Sequence, residues 1–353
     1  MAKQFQFGNT PVGGTAPTFT IAELSGNHDG SKQKALEMVA AAAESGASAV
    51  KVQTYTADTI TLNSRQPDFM AEGLWEGRSL YDLYEEAHMP WDWQGDLSDA
   101  CKAAGIEFFS SPFDLTAVDF LESINVPAYK IASFELVDVG LIEAAAATGK
   151  PLIISTGMGT LAEIEEAVQA ARSAGNGEIA LLVCTSAYPA PASAARLRKI
   201  THLAETFDVV TGLSDHTIGP EVPIAAVAMG AKVIEKHFTL RRSDGGVDSA
   251  FSLEPDEFAE LVSNVRTTEE AMGAAVYGPS EADESSRDYR RSLFITRDLK
   301  EGEAFQAGDI RSVRPGSGLH PRHLHDFDGH VVSRAAIAGT PLTWEHLGER
   351  ASE

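Results

Sequence analysis

Between residues 18 and 274 one pattern repeats: a short apolar β-rich run, a loop, then an Ala-rich amphipathic run that stops near glycine. The apolar runs fall at 18–24, 48–53, 106–110, 128–132, 151–155, 179–184, 208–213 and 232–237. Strands that alternate with helices in this way pair in parallel. Eight such units over roughly 250 residues match the count and size of a TIM (β/α)8 barrel, an α/β fold.

Local signals agree with the helices. Thr160 and Glu163 form a capping-box pattern ahead of Ile164 and Val168. Asp114 is placed to cap the helix that carries Val118 and Leu121. Pro255 stands at the first position of the last helix, and Gly46, Gly149 and Gly175 follow helical stretches as stops. One connection is too long for a βα loop: residues 54–91, with Trp75, Tyr81, Tyr84 and Trp91. A loop of that length is expected to be a lid, a substrate wall or a subunit contact.

The repeat stops near residue 276. Residues 277–290 are polar, with Gly, Pro and Ser, and read as a linker. Residues 291–353 hold short strand-like pieces such as Ser292–Thr296 and a weak echo: Gly302 leads to Phe305 and Ile310, and Gly339 to Leu342 and Leu347. The expected organisation is a barrel over 1–276, the linker, and a small, mostly β C-terminal domain.

Composition narrows the partners. With 51 acidic against 28 basic residues the formal charge is −23, a field that repels nucleic acid and anionic lipid. An anionic substrate must therefore meet a local cluster of cations. No apolar run approaches a membrane span, and Met1–Thr10 has no signal-peptide core. Cys101 and Cys184 are the only cysteines, as expected of reduced thiols in the cytoplasm.

In a barrel of this kind the chemistry sits at the C-terminal ends of the strands. Those ends carry Glu23, Lys51 and Gln53, Ser110 and Ser111, Lys130 and Ser133, and Ser155 with Thr156 and Gly157. They continue with Thr185, Ser186 and Tyr188, then Ser214, Asp215 and His216, then Glu235 and His237. Lys51 and Lys130 are both flanked by apolar residues, where an unpaired ammonium is costly. Either they hold a phosphate or carboxylate ligand, or they pair internally with Glu23, Glu135 or Glu235. Lys236 belongs on the outer face of its strand. His216 and His237 end consecutive strands and can hold a divalent cation whose shell the substrate completes. The alternative is a hydrogen-bonded histidine pair. His28 either joins the site or stabilises its turn. Cys184 reads as a small buried hydrophobe, and Gly157 and Gly159 resemble a phosphate-cradling turn.

These residues carry a resemblance to the sialic acid synthase family that covers nearly the whole chain. It rests on IAELSGNHDGS at 21–31, VKVQTYTADTITL at 50–62, LWEGRSLYDLYEEAHMPW at 74–91 and FFSSPFD at 108–114. It continues through YKIASFE at 129–135, ISTGMGTLAEIEEA at 154–167, GLSDHTIG at 212–219, VIEKHFTL at 233–240 and DGGVDSAFSLEP at 244–255. The C-terminal region, with RPGSGL at 314–319, resembles that family's SAF (antifreeze-like) domain.

The resemblance implies a transferase that joins phosphoenolpyruvate to an open-chain amino sugar, with phosphate lost by C–O cleavage. It implies Mn²⁺, or Mg²⁺ or Co²⁺, on His216 and His237, and a phosphoenolpyruvate pocket of Lys51, Ser111, Lys130, Ser133, Ser155 and Ser214. It also implies sugar contacts from Glu23, Gln53, Ser186, Tyr188 and Asp248, and a swapped homodimer in which Arg314 reaches the other subunit's site. Ser186 replaces the Asn common in sialic acid synthases proper, and SGNH replaces an apolar-flanked GxNH. Both favour a more hydrophobic diacetamido-6-deoxy sugar over N-acetylmannosamine, and the 74–91 segment is similar to the family's pseudaminic branch. Rival expectations are N-acetylneuraminate or legionaminate synthesis, a metal-dependent pyruvate aldolase with no use for phosphate-binding lysines, and a non-catalytic binding protein.

Overall fold

The computed structural model describes residues 3–351. The chain divides into two compact units, Met1–Gly273 and Ala274–Glu353.

The first unit opens with an antiparallel hairpin, β1 (Gln4–Phe7) and β2 (Thr10–Gly13), that no repeat in the sequence announces. Eight parallel strands then close into a barrel: β3 (Phe19–Glu23), β4 (Ala49–Thr54), β5 (Glu107–Pro112), β6 (Tyr129–Ile131), β7 (Leu152–Ser155), β8 (Ile179–Cys184), β9 (Val210–Asp215) and β10 (Val233–His237). The ring runs in chain order, and β10 closes it against β3 with His237 opposite Glu23. Every strand lies close to the apolar run that predicts it.

Alternation along each strand sorts the side chains. On β4, Val50 and Val52 point outward into the large apolar layer beneath the helices, while Ala49 points into the barrel. The lower interior is packed with Phe19, Ile21, Phe109, Ile153, Leu182 and Val233. The hairpin closes this end: Phe7 is fully buried, its ring 4.8 Å from that of Phe19 and 4.9 Å from that of Phe109. The upper interior is polar, and there the site begins.

The helix caps follow the sequence signals. Asp114 accepts from the N–H groups of Thr116 and Ala117, Thr160 and Glu163 form a reciprocal capping box, and Pro255 opens the helix Pro255–Met272. The long connection after β4 is ordered rather than loose. It contains the helices Ala57–Ile60 and Leu80–Ala87, the latter capped by Ser79.

In the second unit the stretch read as a linker includes a 3₁₀ segment, Glu281–Tyr289, started by Ser280. Two antiparallel pairs follow: β11 (Ser292–Ile295) with β12 (Ile310–Val313), and β13 (His330–Val332) with β14 (Leu347–Arg350). They enclose a small core of Leu293, Ile295, Leu299, Phe327, Val332 and Leu342. The internal echo is structural: Gly302 and Gly339 each turn at positive φ, and the echoed Ile310 and Leu347 each begin a strand. Among the described residues no helix is long and apolar enough to cross a membrane.

Candidate active site

The floor is a buried charge cluster. Glu23, Lys51, Lys130 and Glu235 are each at most 4% exposed. Lys51 Nζ lies 2.9 Å from Glu23 Oε2 and 3.5 Å from Glu235 Oε1, and donates to Ser111 Oγ at 3.3 Å. Ser214 Oγ donates to Glu235 Oε1 at 3.0 Å, and Gln53 Nε2 donates to Glu23 Oε1 at 2.8 Å. Lys130 differs from Lys51. It donates to Ser155 Oγ at 2.6 Å and to the Ile131 carbonyl at 3.1 Å, and among the described residues it forms no ion pair. Of the two alternatives open in the sequence, internal pairing is realised for Lys51 with Glu23 and Glu235, while Lys130 is held by neutral oxygens.

These surroundings push the two carboxyls apart. Burial raises Glu23, and the opposing pull of Lys51 does not undo it. Burial acts on Glu235 too, but Lys130 and Lys51 outweigh it and hold that carboxyl below its usual range. Lys51 is raised: burial pulls it down, and Glu23 and Glu235 more than offset this. Lys130 is lowered, chiefly by burial. The two carboxyls thus shift in opposite directions, Glu23 up and Glu235 down.

At the rim, His216 and His237 stand with ring centroids 5.2 Å apart. The Nδ1 of His216 bonds the Thr185 carbonyl at 2.9 Å, which in the neutral ring leaves Nε2 with its lone pair. His237 is lowered well below the usual histidine range by burial and then by His216 and Lys51. Its buried Nδ1 has no hydrogen-bond partner and lies 3.9 Å from Asp248 Oδ2. Glu235 Oε2 is also buried without a hydrogen bond, whereas the corresponding oxygen of Glu23 meets the Lys51 ammonium. This set suits a divalent cation held by two imidazoles, with a substrate completing the shell. No group of three or more metal-ligating side chains is assembled among the described residues.

The walls come from three loops. Ser133 and Ser186 each have a buried hydroxyl without a partner, and both border Gly157. A Cβ on Gly157 would stand 2.5 Å from Ser133 Cβ and 2.8 Å from Ser186 Oγ, so only glycine leaves this cradle open. Tyr188 packs on His216 with centroids 4.4 Å apart and the rings tilted by 44°. The loop after β10 carries Asp248, whose carboxylate accepts from Ser25 Oγ. Asn27, fully buried, secures that loop: its amide donates to Ser252 Oγ and the Phe238 carbonyl, both at 2.9 Å, and its Oδ1 accepts from the Asp248 N–H.

Of the residues singled out in the sequence, Glu23, Lys51, Gln53, Ser111, Lys130, Ser155 and Ser214 line the floor, linked by the bonds above. His216, His237, Tyr188 and Asp248 gather at the rim. Ser110 does not join them, because its hydroxyl bonds Thr54 and the Val52 carbonyl on the outer face. Asp215 also turns outward, to Lys236, which is buried behind the sheet and also donates to the Thr217 and Gly219 carbonyls. His28 packs its ring 5.6 Å from that of Trp93 and receives the Gly30 N–H, a turn-stabilising place. Cys184 is buried, with its Sγ 4.0 Å from His216 Nδ1. Arg314 lies in the second unit, exposed.

Sequence reasoning passed over Ser25, Asn27 and Phe251. Phe251 faces His237 with centroids 4.9 Å apart. All three lie in loops, where no periodicity marks them, and only their place in the SGNH and DSAF stretches could have drawn notice. Glu135 figured there only as a possible partner of the lysines, and Glu235 as such a partner and as a strand-end residue.

Comparison with known proteins agrees with this geometry. The chain is 42% identical to the pseudaminic acid synthase of Helicobacter pylori, over 94% of this chain and 98% of that one. It is 43% identical to a pseudaminic acid synthase of Campylobacter jejuni, over 92% and 95%. The crystal structure of the Bacillus subtilis spore coat polysaccharide biosynthesis protein SpsE superposes with a TM-score of 0.68 at 35% identity, covering 98% of this chain and 99% of that one. Residues 290–348 match the SAF domain. Residues 38–277 match the NeuB family, and the chain belongs to that family.

Proposed function

We propose that this protein is a pseudaminic acid synthase. It condenses phosphoenolpyruvate with 2,4-diacetamido-2,4,6-trideoxy-β-L-altrose and water, giving pseudaminic acid and phosphate. The observation that carries the reading is Lys130: a fully buried lysine that forms no ion pair among the described residues, set beside Ser155 and the Lys51–Glu23–Glu235 cluster, beneath a histidine rim. A dianionic phosphate or a carboxylate relieves the cost of burying that ammonium. The identity of 42% to the Helicobacter pylori pseudaminic acid synthase supports the choice of acceptor.

His216 and His237 would hold a divalent cation, Mn²⁺ in this reading, which supplies Lewis-acid activation of the acceptor's aldehyde. The chain's own groups do the rest. Lys51 and Lys130 balance the charge of phosphoenolpyruvate, and Ser133 and Ser186 offer unpaired hydroxyls beside the Gly157 cradle. C3 of phosphoenolpyruvate bonds to the aldehyde carbon, whose oxygen takes a proton. Water adds to the cationic C2 and gives up its protons as the C2–O bond breaks and phosphate leaves with its bridging oxygen. Glu23, raised toward protonation, serves either at the water or in gripping the sugar.

We further propose a cytoplasmic homodimer in which Arg314 of the partner subunit completes the site. Exposed Leu115, Phe134, Val137, Met158 and Ile218 all follow barrel strands at the end where the site opens, an apolar collar that suits a second copy. Two free, buried cysteines accord with a reducing compartment.

Phosphate release from phosphoenolpyruvate tests the reading, with Mn²⁺ and three acceptors: the altrose, its legionaminic counterpart and N-acetylmannosamine. Selective turnover of the altrose is expected, stopped by exhaustive chelation and restored by Mn²⁺. Turnover of another acceptor alone would replace the sugar, and turnover of pyruvate in place of phosphoenolpyruvate would favour an aldolase.

A further inference from the structure

The connection after β4 delivers one aromatic ring to the acceptor side of the site. Met70 and Ser79 pair as an antiparallel bridge, and the Ala71 N–H donates to the Arg78 carbonyl at 2.8 Å. Gly73 and Gly77, at φ +66° and +87°, let the chain turn between them. Trp75 stands at the tip, in the 3₁₀ turn Gly73–Trp75. From there its indole N–H donates to the Val247 carbonyl at 3.2 Å, one residue before Asp248. Its ring lies 5.9 Å from that of Tyr188, and Tyr188 in turn lies 4.4 Å from His216 and 5.3 Å from Phe251.

The indole N–H is spent on Val247, so the ring can offer a ligand only apolar surface. Moving away from the histidines, the order is His216, Tyr188, Trp75. The floor beneath the histidines is taken by the lysines and carboxylates that suit phosphoenolpyruvate. An open-chain acceptor with its aldehyde at the histidines must therefore send its far end along Tyr188 toward Trp75. A methyl terminus gains from burial against these rings, whereas a hydroxymethyl terminus leaves its hydroxyl without a partner.

We propose that Trp75 is a specificity-determining residue that selects a 6-deoxy terminus on the acceptor. The inference rests on the reading that the substrate is an amino sugar condensed with phosphoenolpyruvate.

The test compares kcat/KM for the 6-deoxy altrose acceptor and for its 6-hydroxy counterpart in wild type, Trp75→Ala and Trp75→Phe. An apolar pocket rejects an added hydroxyl by up to about 10²-fold, so Trp75→Ala is expected to lower the 6-deoxy/6-hydroxy ratio by roughly tenfold. KM for phosphoenolpyruvate stays as in wild type. Trp75→Phe keeps an apolar ring without the Val247 bond and retains most of the ratio with a weaker acceptor KM. An unchanged ratio in Trp75→Ala, including equal losses on both acceptors, overturns the proposal while leaving the synthase reading intact. Wild type that turns over neither acceptor sinks the synthase reading, and this proposal with it.

Discussion

The two ends of the barrel are built from the same eight strands to opposite rules. At the N-terminal end the interior is dry: Phe7 wedges between Phe19 and Phe109, and the hairpin that carries it shuts the opening. At the C-terminal end the next layer along the same strands is Glu23, Lys51, Lys130 and Glu235, and among the described residues buried hydroxyls of Ser133 and Ser186, Glu235 Oε2 and His237 Nδ1 have no hydrogen bond. An apolar layer lowers the free energy of the fold wherever it packs. Buried charges of this kind are costly, and such clusters gather at functional sites. Stability and function are thus separated along the strand axis, with one or two residues of strand between them.

This separation predicts that lesions at the two ends differ in kind. The largest effect belongs to the top. Glu23→Gln keeps the shape and the Gln53 contact but loses the titrating proton, and its kcat is expected to fall by about 10²–10⁴-fold. The melting temperature should fall little, since Glu235 remains to pair with the Lys51 ammonium. Steady-state kinetics beside a thermal melt check both halves. Undiminished turnover would take Glu23 out of the reaction, and a collapsed melt would make it structural.

At the bottom the expectation reverses. Phe7→Ala empties a fully buried ring site and should cost about 3–5 kcal/mol of stability, read from urea unfolding. KM for phosphoenolpyruvate and for the acceptor should be unchanged below the new midpoint. A large rise in either KM would mean that the plug also holds the upper layer in place, and the separation would fail.

The sequence displays the two ends unequally. The eight strands and their rim residues are legible because the alternation of strand and helix is periodic, and because Lys51 and Lys130 stand out in apolar runs. The hairpin that carries Phe7 was not legible: two strands of four residues give too short a pattern to register. Face assignment worked where a strand stayed regular, and Lys236 fell outside as the alternation requires. It failed for Ser110 and Asp215, each adjacent to an inward residue, because reading a strand's last few positions together ignores which of them alternate outward. Asn27 and Phe251 act through loop geometry, which depends on hydrogen bonds across more than two hundred residues of chain. The split of roles between Lys51 and Lys130 likewise depends on which carboxylates the closed ring brings near, a fact of three dimensions.

The finest test of the comparison uses Glu135, in the 3₁₀ turn Ser133–Val137 after β6. Burial pushes its carboxyl up to about 7, with Lys130 pulling the other way, and its Oε2 has no hydrogen bond. A raised carboxyl means that the folded chain keeps a proton which the unfolded chain releases. The contribution of Glu135 to stability is therefore most favourable below the ordinary carboxylate range and is lost as pH rises from there through about 7. Glutamine carries no charge to desolvate. Relative to wild type, Glu135→Gln should gain melting temperature steadily between about pH 5 and 8, and show little gain at the acid end. The pH dependence of kcat/KM should also lose an inflection near neutrality if the same proton serves the reaction. A difference in melting temperature that stays flat across this range would mean that the carboxyl is solvated in the folded protein. The upper end of the barrel would then bear a smaller electrostatic cost than its burial implies, and the contrast with the apolar end would rest on the four floor residues alone.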